Sequence, residues 1–161
     1  MDEPLVVERA EQPYVAISAD VSMVALGSAL PPLVPQVFGW LGARGIAPAG
    51  PPFFRYVVVD MAKELTVEVG VPVASAVPVA DGEPVLAGVL PSGKYVTATH
   101  VGDPSGLGAA TGELLEWAER AGMVWDATGQ RWACRLEEYL TDPAEQPDRA
   151  HWVTRLAFKL A

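Results

Sequence analysis

Apolar residues recur along the chain in two periods, and their order predicts its elements. Residues 14–19 form a short apolar run rich in strand-forming residues. Residues 32–44 repeat apolar positions every three or four residues, which predicts an amphipathic helix that begins after a proline break near Leu30. Residues 53–60 and 65–73 predict the two strands of a β-hairpin. The first half therefore reads strand, helix, strand, strand.

The same order of elements recurs in the second half. Tyr14 has a counterpart in Tyr95, 81 positions on, and Trp40 has one in Trp117, 77 positions on. A glycine follows each predicted helix, where a left-handed residue ends it. Two such units usually pack about a twofold axis and leave a ligand cleft at their seam. We therefore predict an α+β fold of two βαββ repeats related by a pseudo-twofold, with antiparallel strands, one main helix per repeat and a cleft at the seam.

The predicted boundaries place residues 1–161 in a single domain. Its 15 prolines and 15 glycines fall between the periodic segments, so they punctuate a fold. In the second half, Ser105 is predicted to cap the helix, as Ser22 is predicted to cap a helix in the first. The predicted strands of the second half are residues 85–90, 95–101, 131–140 and 152–160. The first repeat spans about 5–73, the linker about 74–84 and the second repeat about 85–161.

The formal net charge of −9 bears on the choice of partners. Such a chain has no basic face to neutralise nucleic-acid phosphates or anionic lipid headgroups, so we expect neither nucleic acid nor a membrane as partner. Apolar or cationic small molecules are favoured instead. The single Cys134 excludes an internal disulfide and fits a reducing cytoplasm, and the acidic N-terminus predicts no signal peptide. The sequence leaves the oligomeric state open.

The sequence carries no signature of a metal site or a cofactor. Its two histidines, His100 and His151, and its one cysteine lack the paired spacing of metal ligands. It contains neither a glycine-rich phosphate loop nor a nucleophile elbow. We therefore expect no metal and no cofactor.

The segment 131–140 carries the strongest candidate chemistry. Strand alternation divides it into an apolar face, assigned to the helix, and a polar face that looks into the seam. The apolar face holds Trp132, Cys134, Leu136 and Leu140, and the polar face holds Arg135, Glu137 and Tyr139. A carboxylate beside a phenol in an apolar seam can attract a cation, accept a hydrogen bond or move a proton. Glu138 would point to the helix-side face, where it must reach solvent at an edge or at a bulge. The alternative for Glu137 is an ordinary exposed strand residue paired with Arg135 or Arg155.

Aromatic residues that flank the predicted strands form a second candidate set. Large aromatic side chains are usually core, so each is either a core residue or a ligand contact. Alternation separates Phe53 and Arg55 from Phe54 and Tyr56, so one of these pairs at most lines the seam. The predicted ligand-binding residues are Glu137, Tyr139, Tyr14, Phe53, Arg55, Tyr95, Trp125 and Trp152.

Several segments together resemble the GyrI-like small-molecule-binding family, which includes the effector-binding domains of bacterial multidrug-responsive regulators. These segments are residues 13–17, 37–41, 49–56, 68–73, 86–95 and 136–143, and they follow the family's order along nearly the whole chain. The resemblance implies two βαββ units with an aromatic-lined cleft. It places the family's cleft glutamate, from a Glu-x-Tyr-Leu-x-Asp-Pro pattern, on Glu137, with Tyr139 beside it.

The resemblance leaves two functions open. A stand-alone binding module would take up apolar, aromatic or cationic compounds, as do the family's regulators, in which this glutamate meets lipophilic cations. A hydrolase would instead open electrophilic cyclopropane-bearing or related xenobiotic compounds. Glu137 and Tyr139 would then be its catalytic residues and would handle water and proton transfer. The sequence does not decide whether the chain is an enzyme.

Overall fold

The computed structural model describes residues 2–161 and contains, within them, ten strands, three helices and two short 3-10 turns. The strands are β1 Leu5–Arg9, β2 Gln12–Val21, β3 Phe53–Val59, β4 Leu65–Pro72, β5 Leu86–Leu90, β6 Gly93–Val101, β7 Ala127–Thr128, β8 Arg131–Trp132, β9 Arg135–Tyr139 and β10 Val153–Lys159. The helices are α1 Leu26–Ala29, α2 Leu33–Ala43 and α3 Leu107–Arg120. The 3-10 turns are Pro104–Gly106 and Arg149–His151.

The strands form one antiparallel sheet. Its order is β1-β6-β10-β9-β3-β4-β2-β5, and the short β7 and β8 pair with each other beside β3. Residues 74–84 contain no helix or strand. The predicted α+β class, with antiparallel strands and two main helices, is confirmed.

The first strands of the two halves are exchanged. β1 pairs with β6 of the second half, and β5 pairs with β2 of the first. Only residues 10 and 11 separate β1 from β2, yet the two strands lie toward opposite ends of the strand order. A two-residue link can join them only if the sheet curls until its ends approach each other. The sheet is therefore a half-barrel.

The two faces of this sheet differ in what they bury. On the helix face, Val37 and Leu41 of α2 pack against β2 and β4, while Leu114 of α3 packs against β6 and β10. The opposite face, here the inner face, buries a cluster to which no helix of the described chain contributes. That cluster consists of Tyr14, Ala16, Phe53, Leu90, Tyr95, Cys134, Leu136 and Ala157.

The strand order is symmetric about its centre. β2, β4 and β3 of the first half occupy places that correspond to β6, β10 and β9 of the second, with β3 and β9 adjacent. Gly45 and Gly122 follow α2 and α3 with φ angles of 67° and 73°, the left-handed conformation predicted for them. A pseudo-twofold axis requires this symmetric strand order. The rotation that would superpose the two halves stays a prediction.

The two predicted helix starts differ from the structure. Ser22 is followed only by the four-residue α1, because prolines separate that turn from α2 at the predicted break. In the second half, Asp103 rather than Ser105 provides the cap. Its carboxylate accepts a hydrogen bond from the Ser105 N–H at 2.9 Å, at the start of the 3-10 turn that precedes α3.

The strand predicted over 131–140 is two strands, β8 and β9, with a break at residues 133–134. The Ala133 N–H donates to the carbonyl oxygen of Asp126 at 2.9 Å, which takes this residue out of the main ladder. Alternation is lost across the break. Trp132 therefore packs in the cluster beneath α3, whereas Cys134 lies on the inner face.

The predicted assignment of faces along β9 is wrong. Leu136 belongs to the inner-face cluster, not to a cluster beneath a helix. Tyr139 packs against helix-face residues, and Glu137, two positions away, shares that face. Glu138 lies on the inner face. The two glutamates are on opposite faces as predicted, but the helices cover the side of Glu137.

Candidate functional site

Glu137 lies at the centre of the helix face, where the two halves meet. It stands on β9 directly opposite Phe54 of β3, and its neighbour on β10 is Leu156. Phe54 belongs to the core cluster next to α1 and the start of α2, and Leu156 to the cluster beneath α3. A carboxylate is thus placed at the junction of two apolar clusters, and it remains partly exposed to solvent.

Two tyrosine hydroxyls hold one oxygen of this carboxylate. The Tyr56 hydroxyl donates to Glu137 Oε1 at 2.8 Å, and the Tyr139 hydroxyl donates to the same atom at 2.6 Å. The two tyrosines lie 83 positions apart, as do Phe54 and Glu137, so both pairs occupy equivalent places in the two halves. Within residues 2–161, no group donates a hydrogen bond to Oε2.

Burial raises the pKa values of Glu137, Tyr56 and Tyr139. It raises the pKa of Glu137, although hydrogen bonds from Tyr139 and Tyr56 and the charge of Arg135 act in the opposite direction. Burial, and then the neighbouring Glu137, raise the pKa of both tyrosines well above the ordinary value. The hydroxyls therefore stay protonated donors, and Glu137 can take up a proton more readily than an exposed glutamate.

Aromatic rings belong to both clusters that meet at this carboxylate. Phe54 meets Tyr139 edge to face, with ring centroids 4.7 Å apart. A second group on the side of α3 consists of Trp125, Trp132 and Phe158, whose centroids are 5.7 to 5.8 Å apart. Rings of this kind present apolar and π-electron surface.

A separate polar network fills the inner face near the first half of the sheet. Arg55 Nη1 donates to the Tyr14 hydroxyl at 2.6 Å and lies 3.5 Å from Glu68 Oε1. Tyr14 in turn donates to Glu68. The Arg55 Nη2 donates to the Ala133 carbonyl at 2.7 Å. These polar groups bond to one another in a buried cluster, but the Arg55 Nε atom is buried without a hydrogen-bond partner among residues 2–161.

Glu138 belongs to this inner face and is paired. Arg9 donates to both of its oxygens, at 2.9 and 3.1 Å, and Arg155 donates to Oε1 at 2.8 Å. Burial alone would raise the pKa of Glu138, but the hydrogen bonds from these two arginines outweigh it and lower the pKa. Arg9 stands on β1 and Glu138 on β9, three strand spacings or about 14 Å apart in a flat sheet. The contact between Arg9 and Glu138 therefore requires the curvature of the sheet.

The structure separates the eight residues predicted to bind ligand. Glu137 and Tyr139 are in direct contact. Tyr14, Phe53, Arg55 and Tyr95 lie on the inner face, so they cannot touch a ligand that reaches Glu137 from the helix side.

The two predicted tryptophans take different positions. Trp125 belongs to the ring group on the side of α3. Trp152 precedes β10, where its indole donates to the carbonyl oxygen of Gln146 at 2.7 Å and the Arg149 guanidinium lies 5.0 Å from its ring centroid. That pairing ties Trp152 to the loop before β10.

Three residues beside Glu137 were not among the predicted contacts: Phe54, Tyr56 and Arg135. Alternation separates Phe54 and Tyr56 from Phe53 and Arg55, and the predicted contacts include the second pair, which lies on the inner face. The signal lay in the repeat. Aligning Tyr56 with Tyr139, 83 positions on, places Phe54 and Tyr56 on the same face as the glutamate.

Two recesses lie away from this centre. One, of about 550 Å³, is lined mainly by charged residues at the end of the β3–β4 hairpin, and the other, of about 340 Å³, lies between the N-terminus and α3. Neither includes Glu137. In the described chain, no group of three His, Cys, Asp or Glu side chains is arranged to hold a metal ion, and no helix has the length and hydropathy to cross a bilayer.

The sequence matches the model of the GyrI-like small molecule binding domain over residues 2–161. The chain is a member of the GyrI-like family. The predicted resemblance is thereby confirmed across the whole match. Among curated protein sequences, none matches this chain.

Solved structures of other proteins share the fold of this chain. The EcmrR C-terminal domain gives a TM-score of 0.77 at 20% identity, covering 99% of this chain and 97% of that domain. In the EcmrR–DNA complex, the match has a TM-score of 0.78 at 20% identity and covers 98% of this chain, which spans 57% of the EcmrR chain.

Two further neighbours have lower identity. SAV2435, solved bound to tetraphenylphosphonium, gives a TM-score of 0.67 at 10% identity, covering 99% of this chain and 94% of that one. A hydrolase from Listeria innocua gives a TM-score of 0.64 at 14% identity, and the match covers 99% of this chain and 92% of that one. At such identities the likeness shows the fold.

Proposed function

We propose that this GyrI-like chain binds apolar, aromatic and cationic small molecules on its helix face, with Glu137 as the polar anchor. The observation that carries the proposal is the half-satisfied carboxylate. Two tyrosine hydroxyls fix Oε1, while Oε2 accepts no hydrogen bond from residues 2–161. A cation or a hydrogen-bond donor placed at Oε2 would complete the coordination of this carboxylate.

The surroundings favour such a ligand. The site joins two apolar clusters, which hold the rings of Phe54 and Tyr139 beside Glu137 and those of Trp125 and Trp132 on the side of α3. An aromatic cation gains contact with these rings, and its charge compensates that of a carboxylate in an apolar setting. The net charge of −9 also favours the approach of cations over anions. The binding of tetraphenylphosphonium by SAV2435 supports the same ligand class here.

A series of tetraphenyl and triphenyl compounds tests the proposal. Tetraphenylphosphonium and tetraphenylborate share their shape and differ in the sign of charge, and triphenylphosphine oxide is a neutral analogue. We expect tryptophan fluorescence titrations to give the strongest binding for the phosphonium, the weakest for the borate and an intermediate affinity for the oxide. Tightest binding of tetraphenylborate, or no binding of any of the three, would contradict the proposal.

A second function is hydrolysis, which the raised pKa of Glu137 and its contact with two tyrosines favour. The solved hydrolase of the same fold from Listeria innocua supports it. Glu137 would take a proton from water as the water oxygen bonds to a cyclopropane carbon. The electron pair of the breaking carbon–carbon bond would move to a conjugated carbonyl oxygen, which would receive the Tyr139 proton, and Tyr139 would regain a proton from Glu137.

Mass spectrometry separates this function from binding alone. A cyclopropane-bearing alkylator incubated with the protein should gain the mass of one water molecule. Glu137→Gln should slow that reaction by about 100-fold or more, the usual scale for a lost general base. A rate equal to that of buffer would show that the chain binds without hydrolysing this class of compound.

A further inference from the structure

Arg135 occupies the strand position next to Glu137 on the same face. The two residues are separated by one inward-pointing residue of β9, Leu136, which places them about 6.6 Å apart along the strand. The β3–β9 ladder ends at the pair Arg55–Leu136, and the next residue on each strand is Tyr56, the tyrosine that donates to Glu137, and Arg135. Arg135 therefore lies on the same face of β9 as Glu137, the proposed anchor.

Aromatic rings hold the Arg135 guanidinium in place. Its central carbon lies 4.7 Å from the ring centroid of Trp132, 4.8 Å from that of Phe158 and 5.9 Å from that of Tyr56. A planar guanidinium stacks well on such rings and then keeps its N–H groups free to point outward. The stacking fixes the group without using its hydrogen bonds.

The N–H donors of Arg135 are left without protein acceptors. Three other partly buried arginines, Arg9, Arg55 and Arg155, each pair with a glutamate. Arg135 makes neither an ion pair nor a hydrogen bond with any of residues 2–161, and its nitrogen atoms are not sealed from solvent. Burial lowers the pKa of Arg135, opposed by Glu137 and Tyr56, but a guanidinium remains charged at neutral pH.

The helix face of β9 therefore carries two groups of opposite charge that have no hydrogen-bond partner among residues 2–161. They are the N–H groups of Arg135 and the Oε2 atom of Glu137. An apolar cation pairs with Glu137 Oε2 but leaves the Arg135 N–H groups without a partner beside it. A ligand with both a cationic system and a carboxylate satisfies both, because a guanidinium fork matches carboxylate geometry.

We propose that Arg135 and Glu137 form a two-point anchor that selects zwitterionic aromatic compounds, with the ligand's carboxylate on Arg135 and its cationic system beside Glu137. This proposal rests on the binding function proposed above and names the ligand class of that site. Arg135 sets the selectivity, and Glu137 contributes to the binding of zwitterions and cations alike.

Two rhodamine dyes provide a matched test. Rhodamine 110 carries a free carboxylate beside its delocalised cation, and rhodamine 123 is its methyl ester, which lacks the negative charge. In fluorescence polarisation titrations at fixed ionic strength, we expect the wild-type chain to bind rhodamine 110 roughly 10-fold more tightly, the scale of one charge-assisted hydrogen bond.

Variants assign this preference to Arg135. Arg135→Gln should bring the affinity for rhodamine 110 to that for rhodamine 123. Arg135→Lys, which keeps the charge but not the fork, should retain part of the preference and serves if Arg135→Gln unfolds. The exposed Arg131, on β8, is a control, and Arg131→Gln should leave both affinities unchanged. Glu137→Gln should weaken the binding of both dyes.

The outcomes distinguish this inference from the function on which it rests. If the wild-type chain binds tetraphenylphosphonium but binds both dyes equally, the two-point anchor is wrong and the binding function stands. If Arg135→Gln tightens both dyes, Arg135 acts as a repelling cation, which also overturns the inference. If neither the dyes nor tetraphenylphosphonium bind, the proposed function itself fails.

Discussion

At the scale of residues, two adjacent glutamates show how strand alternation assigns different roles to the same side chain. Glu137 faces the helix side, where two neutral hydroxyls meet it and burial raises its pKa. Glu138 faces the inner side, where two guanidinium groups lower its pKa. Glu138 is therefore expected to stabilise the fold, whereas Glu137 keeps a costly charge where a ligand could use it.

Removing the charge of Glu138 should lower stability, whereas removing that of Glu137 should not. A depressed pKa means that Glu138 contributes stability above its unfolded-state pKa, and that this contribution is lost as pH falls through its folded-state pKa. At pH 7, Glu138→Gln should lower the free energy of unfolding by about 1.5–3 kcal/mol, the scale of hydrogen bonds to a charged group. Urea denaturation at several pH values measures this loss, which should shrink at acid pH.

Glu137→Gln is the matched contrast. Because the pKa of Glu137 is raised in the folded protein, its contribution to stability is present below the unfolded-state pKa and is lost as pH rises through the folded-state pKa. A glutamine can still accept hydrogen bonds from both tyrosines, so this variant should be as stable as wild type at pH 7, or more stable by about 0.5–2 kcal/mol. A larger loss of stability at Glu137 than at Glu138 would contradict the assignment of faces.

At the scale of elements, glycines let strands β4 and β5 accommodate large rings on the inner face. A Cβ built on Gly70 of β4 would lie 2.5 Å from the Phe53 ring, which is buried opposite it on β3. Gly88 of β5 makes the same allowance for the Tyr14 ring, with a Cβ that would lie 2.6 Å from its hydroxyl. Ring and glycine together fill the half-barrel without a clash.

Gly70→Ala should therefore destabilise the protein by about 1–3 kcal/mol, the usual scale of overpacking. Gly112 of α3 is the control, because nothing lies within 4 Å of its built Cβ. Gly112→Ala should stabilise by about 0.5–1 kcal/mol, since alanine favours a helix more than glycine does. Thermal unfolding of both variants measures the difference. Equal effects would show that the ring of Phe53 moves aside at no cost.

At the scale of the whole molecule, exchange of β1 and β5 interlocks the two halves. Each half supplies the edge strand of the other, and Arg9 on β1 reaches Glu138 in the second half. The repeat visible in the sequence is therefore not a pair of independent folding units.

Fragments 1–84 and 85–161 should each be largely unfolded when expressed alone. Each fragment loses the strand that covers its edge and leaves its own first strand unpaired. Mixing equimolar fragments should restore the β-sheet signal in circular dichroism and the cooperative thermal transition. Cooperative unfolding of either fragment on its own as a monomer would contradict the interlocked arrangement.

Local patterns predicted most of the elements but not the long-range pairing. The apolar periodicity identified α2, α3 and the β3–β4 hairpin, and Gly45 and Gly122 marked where the helices end. The strand exchange was not predicted, because a strand next to a short turn carries no local signal of pairing elsewhere. The site residues on β9 depended on a break at residues 133–134, and a tertiary hydrogen bond makes that break.

The family pattern located Glu137, but alternation alone could not show which side of the sheet it faced. Tyr56 went unrecognised because the repeat was aligned at offsets of 77 and 81, whereas Tyr56 matches Tyr139 at an offset of 83, which the register of β3 with β9 also shows. The inner-face residues Tyr14 and Arg55 were indistinguishable from cleft residues in the sequence, since buried polar networks and ligand sites use the same side chains.

Titration calorimetry of tetraphenylphosphonium with Glu137→Gln and Glu138→Gln tests the central claim, that Glu137 on the helix face is the anchor for the ligand. We predict that Glu137→Gln weakens binding by about 10- to 150-fold, corresponding to the loss of a charge-assisted contact of about 1.5–3 kcal/mol. Glu138→Gln should leave the affinity within about twofold when measured where the variant is fully folded. Equal losses in the two variants, or a larger loss for Glu138→Gln, would contradict the account.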